Sequence, residues 1–297
     1  MTDAALMVPG QRSAMSVVLR WLLFLVLGLF AVIYLFPLIV MVLTSLKSLD
    51  EIQSGNMLAL PRSWTIEPWI AAWSTTQVGL EAGGIKGYFL NSILMTVPAV
   101  AISAVLGALN GYVLTKWRFR GDNLVFALIL FGCFIPFQIV LIPMAQLLGF
   151  LGLASSTPGL ILVHVTYGLC FTTLFFRNYY AAFPNDLVKA AMIDGAGFFR
   201  IFWRILLPNS TPIIVVTVIW QFTNIWNDFL FGLSFAGSGS SAPITVALNN
   251  IVNSSTGVKE YNVHMAAAII AALPTLVVYV LAGRYFVRGL MAGSVKG

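Results

Sequence analysis

The sequence predicts an all-α membrane protein with about six transmembrane helices. Only 9% of its 297 residues are charged and 59% are hydrophobic, whereas a soluble globular domain carries about 25% charged residues. Six largely apolar runs approach or exceed the ~20 residues that cross a hydrocarbon core. Clusters of Gly, Ser, Asn and Pro separate them, and the weak alternation of ~10-residue barrel strands does not recur. In lipid the backbone must satisfy its own polar groups, so these runs are read as helices.

The first run, Trp21–Leu43, exceeds the ~7–15 residues of a signal-peptide core and no small-residue cleavage site follows it, so it is read as a retained helix. Thr44–Gly87 is the largest outer loop, with Trp64, Trp69 and Trp73 suited to the membrane interface and Pro61 and Pro68 between them. The second run, Tyr88–Leu114, passes through a short inner turn, Lys116–Asp122, to the third, Leu124–Leu148. A slight outer turn, Gly152–Pro158, leads to the fourth, Gly159–Phe176; the fifth and sixth are Ile213–Phe235 and Met265–Gly283. Pro37, Pro98, Pro136, Pro143 and Pro274 lie in or near spans, where each removes a backbone donor and either hinges its helix or fits irregular packing.

Lys and Arg set the orientation, because short translocated loops are depleted in them. An inner N-terminus puts twelve of the sixteen inside: Arg12, Arg20, Lys116, Arg118, Arg120, Arg177, Lys189, Arg200, Arg204, Arg284, Arg288 and Lys296, against Lys47, Arg62, Lys86 and Lys259 outside. Both termini are therefore expected in the cytoplasm. The net charge of +6 sits beside helix ends instead of forming one stripe, which speaks against nucleic-acid binding. Cys133 and Cys170 have no paired spacing and no Cys/His metal pattern around them, so they read as packing residues and no metal site is expected.

The inner segment Arg177–Pro212 is long for a connection within a helical bundle. Pro184, Asn185 and Asp186 offer a helix start and Gly195 with Gly197 a stop, so a short helix is expected over Asp186–Ile193. After Gly197, Phe198, Phe202 and Ile205 share one helical stripe and Arg200 and Arg204 another. Helix, glycine break and Phe-rich helix together form a compact cytoplasmic knob able to dock with another protein; a helix lying on lipid headgroups is the competing reading.

Phe183-Pro-Asn-Asp-Leu-Val-Lys-Ala-Ala-Met-Ile-Asp-Gly-Ala196, followed by Phe202 and Leu207-Pro208, resembles the EAA loop of ABC importer permeases; Ala190-Ala191, Asp194-Gly195-Ala196 and Pro208 carry the likeness, and Lys189 stands where that motif usually has glutamate. Trp226-Asn-Asp-Phe229 and the ending Tyr285–Leu290 and Gly293–Gly297 are similar to maltose-type carbohydrate permeases, and Gly107–Arg120 and Phe175–Tyr180 look most like glucose/mannose permeases. The resemblance implies a binding-protein-dependent (type I) ABC importer permease fold in a bacterial or archaeal cytoplasmic membrane. Its segments are a cytoplasmic N-terminal stretch 1–20, a permease domain 21–287 with the coupling loop at 177–212, and a cytoplasmic tail 288–297. The implied partners are a second permease subunit forming a heterodimer, a dimer of cytoplasmic ATPase subunits, an extracytoplasmic sugar-binding protein and membrane lipid. Lys189, Ala190, Ala191, Asp194, Gly195, Ala196, Phe198 and Phe202 would then couple to the ATPase, and the tail residues Val295, Lys296 and Gly297 would reach it.

The implied function is ATP-driven sugar import, of glucose or mannose on the finer likeness, with oligosaccharide or another carbohydrate as the alternative substrate. This chain holds no Gly-x-x-x-x-Gly-Lys-Ser/Thr phosphate loop, so no ATP site and no enzyme activity are expected in it; ATP and magnesium would be used by the partner ATPase. Asp228 is the one charged side chain within the runs, and with Gln221, Asn224, Trp226 and Asn227 it forms a candidate substrate pathway. Such groups are costly facing lipid and belong in the bundle interior or on a watery path, whether they meet sugar or pin helices. His164 and His264 have no carboxylate partner evident from sequence and read as core histidines. An ion-coupled secondary transporter, the rival class, would place ionisable groups in several spans and repeat its halves.

Overall fold

The computed structural model describes residues 14–55, 58–236, 241–254 and 259–294, with side-chain surroundings from residue 18 to residue 283. These fall into two compact units, one built from residues 1–69 with 260–266 and the other from residues 70–259 with 267–297. In the first, α1 (Ala14–Ser45) keeps Pro37 inside it. Its side chains from residue 18 to residue 39 are exposed all round, the condition of a helix whose solvent is lipid. The expected boundary of the N-terminal segment, at residue 20, falls within this helix.

The segment that follows α1 has its own structure. Ser48 caps α2 (Leu49–Ser54) by accepting a bond from the Glu51 amide at 3.4 Å, and the Glu51 carboxylate in turn accepts from the Arg62 amide at 2.8 Å. The Asn262 side chain donates to the Lys47 carbonyl at 3.0 Å. α3 (Glu67–Ser74) runs into the second unit, where β1 (Gln77–Val78) and β2 (Glu81–Ala82) pair antiparallel around Gly79, whose φ of +65° makes the turn.

The second unit is built on α4 (Lys86–Lys116), followed by α5 (Asp122–Gly132), α6 (Leu141–Phe150) and α7 (Thr157–Ala182). α4 and α7 pack backbone to backbone: a Cβ on Gly111 would lie 2.7 Å from the Arg177 nitrogen, and one on Gly107 would press on Thr172. Next come α8 (Asn185–Ile193) and α9 (Phe198–Ile201), a π turn over Phe202–Leu206, then α10 (Thr211–Trp226) and α11 (Leu230–Phe235). α12 (Ile244–Ser254) and α13 (Tyr261–Ser294) complete the order, α13 beginning in the first unit.

Two expected spans are broken. The third is bent by 93° between Gly132 and Phe137, where Pro136 withholds a backbone donor and a 3-10 turn, Phe137–Val140, replaces α-helix. The fifth stops at Trp226 and restarts at Leu230, with Asp228 in the gap. Among the described residues, four helices are long and apolar enough to cross a membrane, or up to six if Asp122–Gly132 with Phe137–Phe150, and Phe198–Leu206 with Pro208–Trp226 (bent by 43°), each count as one span.

Candidate functional site: an exposed knob and a cavity between helices

The knob forms where the sequence places it, with α8 starting one residue early at Asn185. Gly195 ends α8 with φ +75°: its amide bonds the Met192 carbonyl at 3.0 Å and the Ala196 amide reaches back to Ala191 at 2.9 Å, the paired bonds of a Schellman turn. Lys189, Ala190, Asp194 and Gly195 are exposed, and Ala196 and Phe198 are half-buried. Ala191 and Phe202 point inward, Phe202 with no exposed surface, into a cluster with Tyr112, Tyr180, Val188, Ile201 and Leu206. They therefore anchor the knob on α4 and α7 and leave its outer face to other residues.

That outer face is apolar at Leu187, Ile193, Phe199 and Trp203, with Ile193 85% and Phe199 68% exposed. The sequence reading missed it, although Phe199 and Trp203 stand four residues apart on the stripe beside Phe198 and Phe202. The π turn, closed by the Leu207 amide on the Phe202 carbonyl at 2.9 Å, widens the helix and turns Leu206 inward in place of the expected Ile205, which is half-buried. The tail residues Val295, Lys296 and Gly297 lie outside the described residues.

The polar residues of the fifth span divide into those that line a cavity and those that do not. Gln221, 1% exposed, donates to Ser103 Oγ at 3.0 Å and to the His164 carbonyl at 3.3 Å, lying so close on Gly168 that a Cβ there would strike its amide. Trp226 is buried with its Nε1 donating to the Ala271 carbonyl at 2.9 Å, its ring between Phe89 and Phe222, and Asn227 is exposed with its amide bonded to Thr223. Neither of these two lines the cavity beside them. Gln221, Asn224 and Asp228 do: with His164, Tyr167, Phe171 and Trp220 they border a space of about 250 Å³ between α7, α10 and α11.

Asp228 also has a local task. Its carboxylate accepts the amides of Phe231 and Gly232, each at 3.1 Å, and so starts α11 after the break, while its carbonyl accepts the Thr245 hydroxyl at 2.6 Å. His164 Nε2 lies 3.8 Å from Asp228 Oδ2, the carboxylate neighbour that sequence could not show. That nitrogen and the Tyr167 hydroxyl are buried without a hydrogen-bond partner. Trp220 lies against Phe171 with ring centres 4.6 Å apart and planes tilted by 40°, giving the cavity an aromatic wall beside its polar groups. The cysteines, distant in sequence, belong to packed neighbours: Cys170 Sγ lies against Gly132, next to Cys133, and both thiols are free.

A multi-pass helical bundle with a side-chain-lined cavity and an exposed apolar knob has the parts of a membrane transport subunit. Residues 103–291 match the family described as binding-protein-dependent transport system inner membrane component, and the chain belongs to that family. It is 45% identical over 188 residues, 63% of this chain and 68% of the relative, to a Pyrococcus horikoshii protein named as a probable ABC transporter permease. It is 33% identical over 279 residues, 86% of this chain and 87% of the relative, to the xylose/arabinose import permease of Haloferax volcanii. Among solved structures, a bacterial ABC transporter that imports the acidic polysaccharide alginate shares the fold with a TM-score of 0.81 at 20% identity, over 94% of this chain and all of that one. The chain is thus a permease component of an ABC importer, a transport subunit and not an enzyme. Such permeases work with a second permease, an ATPase and a substrate-binding protein.

Proposed function

We propose that this chain is one of two paired permease subunits of a sugar importer, that the loop 177–212 is its seat on the ATPase, and that glucose or mannose is the cargo. The observation that carries the coupling role is the Gly195 turn: it holds Lys189, Ala190, Asp194 and Gly195 at the surface beside the apolar Ile193 and Phe199, while Phe202 and Ala191 tie the knob to the bundle. An exposed apolar patch rimmed by polar residues is the kind of surface a protein partner covers. Sugar as cargo is supported by relatives named for xylose/arabinose and for diacetylchitobiose, the latter 30% identical over 90% of this chain. The cavity adds chemical support, since His164, Tyr167, Asn224 and Asp228 offer hydrogen bonds to hydroxyls and Trp220 with Phe171 a face for a sugar ring. The termini and the tail 288–297 lie on the cytoplasmic side in this reading.

The test is uptake of labelled glucose, mannose and xylose into vesicles holding this chain, its paired permease, the ATPase and the binding protein, with and without Gly195→Val. A β-branched residue at φ +75° is strained by about 1–3 kcal/mol, so the variant is expected to insert normally and to lose uptake. Uptake of xylose alone would replace the hexose assignment, and unimpaired uptake by Gly195→Val would remove the loop from the coupling path.

A further inference from the structure

We propose that Lys116 and Tyr112, at the inner end of α4, are positioning residues that clamp the knob and pass its movement to the cavity wall. The inference rests on the reading of loop 177–212 as the ATPase seat. Lys116 Nζ donates to the Phe183 carbonyl and to Asn185 Oδ1, both at 2.6 Å. Its ammonium therefore joins three helix ends: the last turn of α4, the C-cap of α7 and the first residue of α8. α8 has no side-chain cap of its own, because Pro184 precedes it and the Asn185 oxygen is taken by Lys116.

Tyr112, one helical turn earlier on α4, holds the other half of the knob. It is fully buried, its hydroxyl donates to the Phe198 carbonyl at 3.3 Å, and its ring lies against Phe198 and Phe202 with centres 4.8 and 5.7 Å away. One helix thus grips the start of α8 and the start of α9, on either side of the Gly195 turn. The same helix reaches the cavity: Ser103 accepts from Gln221 at 3.0 Å, and Asn110 is bonded to Thr173 of α7 at 3.1 Å between the two places. Close packing of Gly107 and Gly111 on α7 leaves α4 no slack to absorb a displacement. A push on the exposed face of α8 is then delivered along α4 to Gln221 beside the pathway.

The experiment uses the whole reconstituted importer and whichever sugar of the glucose, mannose and xylose panel the unaltered assembly takes up, and reads sugar carried per ATP hydrolysed. Lys116→Met keeps the apolar stem and removes the charged bonds; Tyr112→Phe keeps the ring stack and removes one bond. We expect both assemblies to form and to hydrolyse ATP, with transport per ATP down about tenfold in Lys116→Met, less in Tyr112→Phe, and largely restored in Lys116→Arg. An unchanged ratio in Lys116→Met overturns the clamp, whether the variant assembles fully or only in reduced amount. Gly195→Val run alongside separates the two ideas: if it uncouples and Lys116→Met does not, only the clamp fails, and if neither uncouples, the seat itself is wrong.

Discussion

At the scale of single residues, Asp228 carries two roles that substitution can separate. Its carboxylate starts α11 by accepting the Phe231 and Gly232 amides, and it also faces the cavity 3.8 Å from His164 Nε2. Asp228→Asn keeps an oxygen for the amides and loses the charge, whereas Asp228→Ala loses both. The loss of a cap costs about 1 kcal/mol, so Ala is expected to lower the melting temperature of the purified protein in detergent while Asn stays near the parent. If the carboxylate also meets sugar hydroxyls, both variants lose uptake; full uptake by the Asn variant would leave Asp228 as a cap alone. Composition already marked Asp228 as unusual at membrane depth, but not its partners. The break at Asn227–Phe229 brings the carboxylate to His164, 64 positions earlier, and such a meeting is set by packing that no local spacing encodes.

At the scale of elements, the apolar runs and the knob were legible because chain length and punctuation determine them. Six runs are visible as composition, and Pro184, Gly195 and Gly197 bound both ends of α8 and the start of α9 within a residue, while the expected helix on to Leu207 gives way at Phe202 to the π turn. The 93° bend at Pro136 was not legible: a proline in an apolar run marks a lost donor, yet whether the helix tilts or turns back depends on its neighbours. Nor did the loop 44–87 announce its hairpin, whose strands are two residues long. The α4–α7 contact gives the sharpest prediction at this scale. Gly111→Leu drives a side chain into the α7 backbone, where overpacking costs about 1–3 kcal/mol or more, while Gly28→Leu on α1 meets nothing within 4 Å. Thermal denaturation in detergent is expected to show a lowered midpoint for Gly111→Leu and no change for Gly28→Leu. Equal midpoints would mean that the two helices part easily.

For the molecule as a whole, orientation is the property from which the other assignments hang, because the knob can meet a cytoplasmic ATPase only if it faces inward. The imbalance of Lys and Arg, twelve flanks against four, argues for that sense, and two exposed apolar residues of the second unit offer a direct reading. Leu80, fully exposed in the β1–β2 turn, belongs to the loop assigned outside; Ile193, 85% exposed at the end of α8, belongs to the knob assigned inside. With Cys133 and Cys170 replaced by Ala, single cysteines at Leu80 and Ile193 are to be treated in intact cells with a thiol reagent that cannot cross the membrane. Leu80→Cys is expected to react at once and Ile193→Cys only after the membrane is opened. The reverse pattern would turn the chain over and detach the Gly195 turn from any cytoplasmic ATPase, while leaving the helix assignments untouched, since those rest on length and apolarity and not on charge.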